Sequence, residues 1–343
     1  MAKRFQLSSD GTTYYTMPGN TAEFQYDSQM VDDTIFGQDF ASQFTNMQDW
    51  KMQSNGYFKG LAGYQVTLKK SGTPTTMTAE ACTLVSGKTY QITNAAHRIM
   101  DPATVPTVLG NAVTIAEANI LNIDYLFGTV TFISSYTPTT PITITGKYLP
   151  TSVIAGARAF NLGMTMNAFD DTTIADAQAN GGIRIYDFGI KDVKLELTGI
   201  YSLSNGSLAS VQSRAILVAE ICPDGSQLAV ARGFFQYGKT GQSGKVGDQE
   251  DESAALSLYV PNIDNLKAPF SWVISGSSTL SPAIQKAISA WQNKTFIYGK
   301  YSPDGTAGVL GQGVVTDITL SGGLDVLNEF SFAMQGSGAV TPF

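Results

Sequence analysis

The run Gly233-Phe-Phe-Gln-Tyr-Gly238-Lys239-Thr240 satisfies the spacing of a phosphate-binding loop, G-x-x-x-x-G-K-[ST]. That chemistry needs a compact loop whose backbone N–H groups wrap a phosphate, then a helix whose N-terminus faces the charge. Here Phe234, Phe235, Gln236 and Tyr237 favour a strand, and the glycine-rich segment 241–247 cannot sustain a helix. The run therefore reads as a strand followed by a loop. His97 is the single histidine, which excludes metal sites built from several His and most acid–base machinery that uses one. The acidic run Asp248-Gln-Glu-Asp-Glu252 lacks the spaced ligands and turn glycine of a calcium loop and reads as a solvated segment. Asp32-Asp33 and Asp170-Asp171 are adjacent carboxylates, but neighbours in a strand point to opposite faces. They read as turn or capping residues. The residues thus imply no enzyme, no cofactor and no metal.

Composition narrows the class further. At 343 residues the chain suits two domains of about 150 residues each. Hydrophobic residues make up 43% and charged residues only 14%, the balance of a folded chain with a lightly charged surface. A net charge of −7 argues against a protein that grips nucleic acid through its phosphates, because that needs clustered Lys and Arg. It is compatible with one that lets nucleic acid slide past. Cys82 and Cys222 suggest no disulfide framework, read as buried thiols and point to a reducing compartment. The first ten residues have no apolar signal region, and no apolar run approaches the ~18 residues of a membrane span. A soluble protein made in a cytoplasm, with no membrane anchoring, is expected.

The elements that would hold these residues are mostly strands. Tyr64–Leu68, Thr129–Ile133, Pro141–Thr145, Lys194–Thr198, Ala255–Tyr259 and Glu329–Ala333 alternate apolar and polar residues with period two. Turn sets such as Ser302-Pro-Asp-Gly305 and Ser204-Asn-Gly206 punctuate them. The clearest helix starts at Ser281-Pro282, an N-cap followed by Pro at the first helical position. Its stripe Ile284, Ile288, Trp291 continues until Asn293 ends it. A weaker helical turn is expected at Gln38–Phe44. The fold class is mainly β, as two tandem sandwich or barrel modules with one clear helix at 281–292.

Tandem modules are suggested because the chain says nearly the same thing twice. Asp32-Asp33-Thr34 recurs as Asp170-Asp171-Thr172, and Asp49-Trp50-Lys51 leading to Gly56 recurs as Asp192-Val193-Lys194 leading to Gly199. An alternating stretch fills each gap, so repetition organises the chain before any other feature. The expected division is 1–155 for the first module and 156–343 for the second. The stretch 72–132, without a counterpart, reads as a hairpin-rich lobe inserted in the first.

These repeated elements resemble the central part of the major tail tube proteins of tailed bacteriophages. Gly311–Gly323 followed by Glu329–Ala339 is similar to that family's closing hairpin, and Ala231–Phe235, Gln242–Gly247 and Glu250–Val260 resemble it too. The resemblance covers most of 156–343 and roughly 20–70. It implies tail-tube-like modules whose hairpins join side by side in a ring lining a channel, commonly six modules per ring. Two modules per chain would make three chains a pseudo-hexameric ring. The implied protein is a virion tail subunit, assembled in the host cytoplasm, that stacks into the conduit for DNA ejection. Its partners would be itself, the tape measure, tip and terminator proteins of the tail, and DNA passing without specific binding. The repeated residues Asp32, Asp33, Thr34, Asp49, Lys51, Asp170, Asp171, Thr172, Asp192 and Lys194 are then candidates for assembly contacts, and Glu196 for the channel wall. Two other readings stay open: the inner tube of a phage-derived injection device, and a carbohydrate-binding or adhesin-like β-sandwich protein.

One outcome follows from the strand reading of Gly233–Thr240. ATP should leave the melting temperature unchanged, whereas a ligand at a hundred times its Kd would add about 2.7 kcal/mol. A shift abolished by Lys239→Ala would restore the nucleotide reading.

Overall fold

Period-two alternation becomes strand through most of the chain, and all six stretches named above overlap strands. The computed structural model describes residues 3–32, 43–58, 64–180, 182–202, 213–243, 251–260, 268–323 and 326–343. In chain order, β1 (Arg4–Ser8), β2 (Tyr15–Thr16), β3 (Gly19–Asp32), β4 (Gln43–Tyr57) and β5 (Gln65–Ser71) enter one large sheet. Next, β6 (Thr75–Ser86), β7 (Thr89–Ile92), β8 (Thr107–Gly110), β9 (Val113–Thr114), β10 (Ile120–Asp124), β11 (Thr129–Phe132) and β12 (Ile142–Tyr148) form a separate seven-stranded sheet. The chain then returns to the large sheet through β13 (Thr151–Asp170), helix α1 (Ile174–Ala179), β14 (Tyr186–Ser202), β15 (Leu217–Cys222), β16 (Ala229–Ser243), β17 (Asp251–Leu258) and β18 (Phe270–Ile274). Helix α2 (Pro282–Asn293), β19 (Ile297–Ser302), β20 (Val309–Gly323), β21 (Val326–Gly336) and β22 (Thr341–Pro342) complete it.

Two strand sets within the large sheet follow the same antiparallel order. One runs β1–β19–β20–β21–β4–β3. The other runs β5–β15–β16–β17–β14–β13, and closes on itself because the start of β13 also pairs with β5. The register matches as well as the order. Hairpin β3–β4 sets Phe24 opposite Met52, Asp27 opposite Asp49 and Met30 opposite Thr45, with an irregularity between Ser28 and Met30. Hairpin β13–β14 sets Leu162 opposite Leu195, Thr165 opposite Asp192 and Ala168 opposite Phe188, with its irregularity between Met166 and Ala168. Against its hairpin partner, β20 shifts register between Val315 and Asp317, and β16 does so between Tyr237 and Lys239. Bulges re-aim a strand, so their recurrence at matching places gives the two sets the same bend.

The sets are interleaved along the chain. Strands β1, β3 and β4 open it, β19 to β21 close it, and the other set lies between. Residues 155 and 156 both lie inside β13. The turn Cys222-Pro-Asp-Gly225 follows β15 as Ser302-Pro-Asp-Gly305 follows β19. In each, the carboxylate accepts from backbone N–H groups just beyond it: Asp224 from Ser226 at 3.0 Å, and Asp304 from Thr306 at 2.8 Å. Beyond its pairing with β5, β13 joins the sets directly, running antiparallel to β20 from Ala159 opposite Gly323 to Thr165 opposite Asp317.

Helix α2 closes the main core. Ser281 Oγ accepts the Ile284 N–H at 3.3 Å, Pro282 fills the first turn, and Lys294 in the left-handed region (φ +50°) ends the helix. Ile284, Ile288 and Trp291 are buried as their spacing predicted, with Ala283, Ala287 and Ala290 beside them. Each large apolar side chain so buried contributes about 1.5–3 kcal/mol. Helix α1 was not foreseen. Thr173 and Asp176 form its capping box, but it buries no residue and Ile174 is 81% exposed, so no apolar stripe announces it. Of the helical turn expected at Gln38–Phe44, residues 38–42 lie outside the described residues and 43–44 begin β4.

The seven-stranded sheet packs on the large one through a second apolar cluster. Tyr125, Leu126 and Phe127 meet Val218, Val230 and Phe234 there. Polar contacts pin the same seam: Ser271 Oγ donates to Asp124 at 2.6 Å, and Arg232 donates to Glu220 at 2.8 Å and to the Leu126 carbonyl at 3.1 Å. Burial pushes the Asp124 carboxyl above its usual range, against the pull of Ser271, the Leu126 and Phe127 N–H groups and Arg232. His97 is structural, 3.0 Å from the Glu80 carboxylate and stacked on Tyr148.

Trp50, 1% exposed, belongs to the main core, its indole N–H donating to the Gly338 carbonyl at 2.8 Å. It lies so close to β20 and β21 that a Cβ at Gly336 would come within 2.0 Å of the ring and one at Gly311 within 2.4 Å. Only glycine fits either place. Gly336→Ala should therefore destabilise the chain by about 1–3 kcal/mol through overpacking. Urea unfolding would read this as a lower midpoint at unchanged slope; an unchanged midpoint would contradict the packing.

Candidate functional site

Because side chains alternate across a strand, the two hairpins and their neighbours bury one face and leave the other polar. Met52, Leu162, Met164, Leu195, Ile318 and Leu320 fill the buried side. The register places Glu23, Asp27, Asp192, Glu196, Asp317 and Glu329 on the polar side, with Lys51, Lys194 and Lys239. Carboxylates outnumber ammonium groups among these residues, so the face is acidic. A groove of about 490 Å³ opens on it, with Glu23, Lys51, Gln53, Thr165, Asp317 and Gln335 among its walls. Burial pushes the Asp317 carboxyl above its usual range, offset in part by hydroxyl donation from Ser331 (3.2 Å) and Thr319 (3.3 Å).

Some of the repeated residues foreseen from sequence converge, and others stand apart. Arg184 lies between Asp49 of one hairpin, at 3.8 Å, and Asp170 of the other, at 3.1 Å. The Tyr186 hydroxyl donates to Asp49 at 2.7 Å, and burial with that carboxylate pushes the phenol up to about 12. Thr172 donates its hydroxyl to Asp170 at 2.6 Å and accepts the Ile185 N–H at 2.9 Å, while the Asp171 N–H donates to the Ile185 carbonyl at 3.0 Å. Partial burial opposes ionisation of Asp170, but the Thr172 donors and Arg184 outweigh it and hold the carboxyl below its usual range. Backbone bonds reinforce this seam: Gln48 N–H to the Gly182 carbonyl at 2.8 Å, and Arg184 N–H to the Gln48 carbonyl at 3.0 Å. Asp192 and Lys194 are exposed and 3.8 Å apart, and Glu196 accepts from Asn161 at 3.5 Å. Lys51 is exposed on the polar face, and Asp32 ends β3 opposite Gln43. Asp33 and Thr34 lie outside the described residues.

Arg184 and Tyr186 were not foreseen, because neither belongs to a repeated element. The phosphate-loop match is resolved by β16: Phe234 and Phe235 are fully buried core residues, Gly238 lies at the register shift, and the strand continues to Ser243 beside β17. The acidic run falls outside the described residues at 248–250, and 251–252 begin β17. Cys222 is buried, and Cys82 is half-buried with its thiol pushed up to about 12 by desolvation and Glu80. Among the described residues no cluster of His, Cys, Asp and Glu could hold a metal ion, and no helix is long and apolar enough to cross a membrane.

No family model and no curated protein matches the chain. Solved structures are similar over part of it, among them two from gene transfer agent particles. One is a chain from the virion of a native gene transfer agent particle, 15% identical, with a TM-score of 0.27, covering 36% of this chain and 88% of that one. The other is a chain from the tail of an empty gene transfer agent particle of C6 symmetry, 14% identical, with a TM-score of 0.28, covering 37% and 87%. Likeness at that level places the chain in no family.

Arg184→Ala should leave Asp49 and Asp170 without their shared cation and cost about 1–2 kcal/mol at neutral pH. The sign with pH is set by Asp170. Its carboxyl is lowered in the folded chain, so its contribution is full above the ordinary carboxylate range and is lost as pH falls through the folded value. The gap between wild type and variant in urea melts should therefore narrow on acidification; a gap that widens would contradict the pairing.

Proposed function

We propose that the chain is a structural subunit of a phage-like tail tube, in which three copies close into a ring and rings stack around a channel that DNA traverses. The observation that carries this reading is the recurrence of one strand order and one register in two sets, already joined edge to edge by β13 and β20. A contact of that kind uses different surfaces on its two sides, so repeating it builds a ring when the rotation closes, here after six strand sets in three chains. The sequence resemblance to tail tube proteins supports the same reading.

In this reading each strand set is one tube module. The modules are nested, since the set β5, β13–β17 lies within the chain of the set β1, β3, β4, β19–β21. The seven-stranded sheet is a lobe inserted between β5 and β13. The acidic face of the hairpins lines the channel. There it repels the DNA backbone and avoids the many phosphate contacts by which a basic wall would hold it. The repeated Asp and Lys residues then have two uses: Asp49 and Asp170 set how the modules meet, while Asp192, Lys194 and Glu196 lie on the wall.

Electron microscopy of the purified protein tests the assembly. Hollow tubes with three chains per ring and a lumen lined mainly by carboxylates are expected. Rings of six whole chains, a lumen lined by Lys and Arg, or a protein that stays monomeric at high concentration would reject the proposal.

A further inference from the structure

The contact between the two strand sets inside one chain has a counterpart whose halves both lie open. Within the chain, the β13 edge from Ala159 to Thr165 takes the β20 edge from Asp317 to Gly323. Through the matched registers, the equivalent of β13 is β3, where Thr165 corresponds to Asp27, because each opposes the Asp of the repeated Asp-x-Lys. The equivalent of β20 is β16, where Asp317 corresponds to Lys239, because each is the first paired residue beyond the shared register shift. Among the described residues, β3 pairs only with β4, and β16 from Lys239 to Ser243 pairs only with β17. Two strand edges of matched shape therefore lack a neighbouring strand among the described residues.

We infer that β3 of one copy pairs antiparallel with β16 of the next, in the register Glu23 opposite Ser243, Gln25 opposite Gly241 and Asp27 opposite Lys239. The occupant of each edge is a second copy of this chain. Three observations select it over another partner. The internal β13–β20 junction supplies the geometry and the register with no free choice. Charge is complementary: at the position where the internal junction sets neutral Thr165 against Asp317, the open edges set Asp27 against Lys239, both exposed. Burial is less complete on the free side: Met164 and Leu162 are 0% exposed, whereas their equivalents are Tyr26, 44% exposed, and the half-buried Phe24. A neighbouring strand would cover them and satisfy both rows of backbone groups, which an exposed edge leaves available for pairing.

This pairing rests on the ring reading, and two arms of one experiment separate them. In the first arm, Glu23→Cys and Ser243→Cys are combined with Cys82→Ser in the full chain, and assembled tubes are treated with a short bismaleimide. Directly opposed residues lie about 4.5–5.5 Å apart at Cβ, within its reach. Chains linked into dimers and closed trimers are expected, with none from either single cysteine. In the second arm, Asp27→Lys or Lys239→Asp alone sets like charges face to face, and each should raise the concentration needed for assembly on the order of tenfold. The monomer melting temperature should be unchanged, and the double exchange should restore assembly. Tubes that form without the cross-link, or single exchanges that assemble like wild type, would overturn this pairing and leave the ring reading standing. A wild-type chain that forms no ring at all would sink both.

Discussion

Everything in the large sheet depends on how one long strand satisfies its backbone. β13 hydrogen-bonds to β14 along one edge, and divides its other edge between β5 at its start and β20 further on. An unpaired strand edge is a template for whatever strand comes next. Here the first half of that edge closes its own set, and the second half captures the other set. The joint between the two strand sets is thus made of main-chain bonds, whose direction and spacing leave little freedom.

Two side-chain devices hold the hairpins beside that joint. Trp50 lies under the glycines of β20 and β21 and reaches the Gly338 carbonyl, which fixes how closely β4 approaches the strands that complete its set. Arg184, carried on the segment after α1, ties Asp49 to Asp170 while its backbone bonds to Gln48 and Gly338. The first works by shape and the second by charge. The segment between β13 and β14, longer than its counterpart by five residues (16 from Asp33 to Asp49, 21 from Asp171 to Asp192), docks on Gln48 of the other hairpin through Gly182 and Arg184.

The seven-stranded sheet is tied on by a different chemistry. Its seam is apolar at the centre, with Glu220 held between Lys69 and Arg232 at its side. None of these contacts uses the polar face of the hairpins. The seven-stranded sheet can therefore vary without disturbing the acidic surface.

Sequence by itself determined the local elements. The alternating stretches became strands and the stripe Ile284, Ile288, Trp291 became a buried helix face, because both periods are written within a few residues of each other. The repeated Asp-Asp-Thr and Asp-x-Lys located both hairpins, and the recurring Pro-Asp-Gly turns after β15 and β19 were a further trace of the same order. What sequence did not show is which strands complete which set. β4 pairs with β21 across most of the chain's length, and hydrogen bonds between backbone groups carry no side-chain label that periodicity could detect. Arg184 was hidden for the same reason: its partners Asp49 and Asp170 come from separate hairpins, and only the packing of one against the other brings the three charges together.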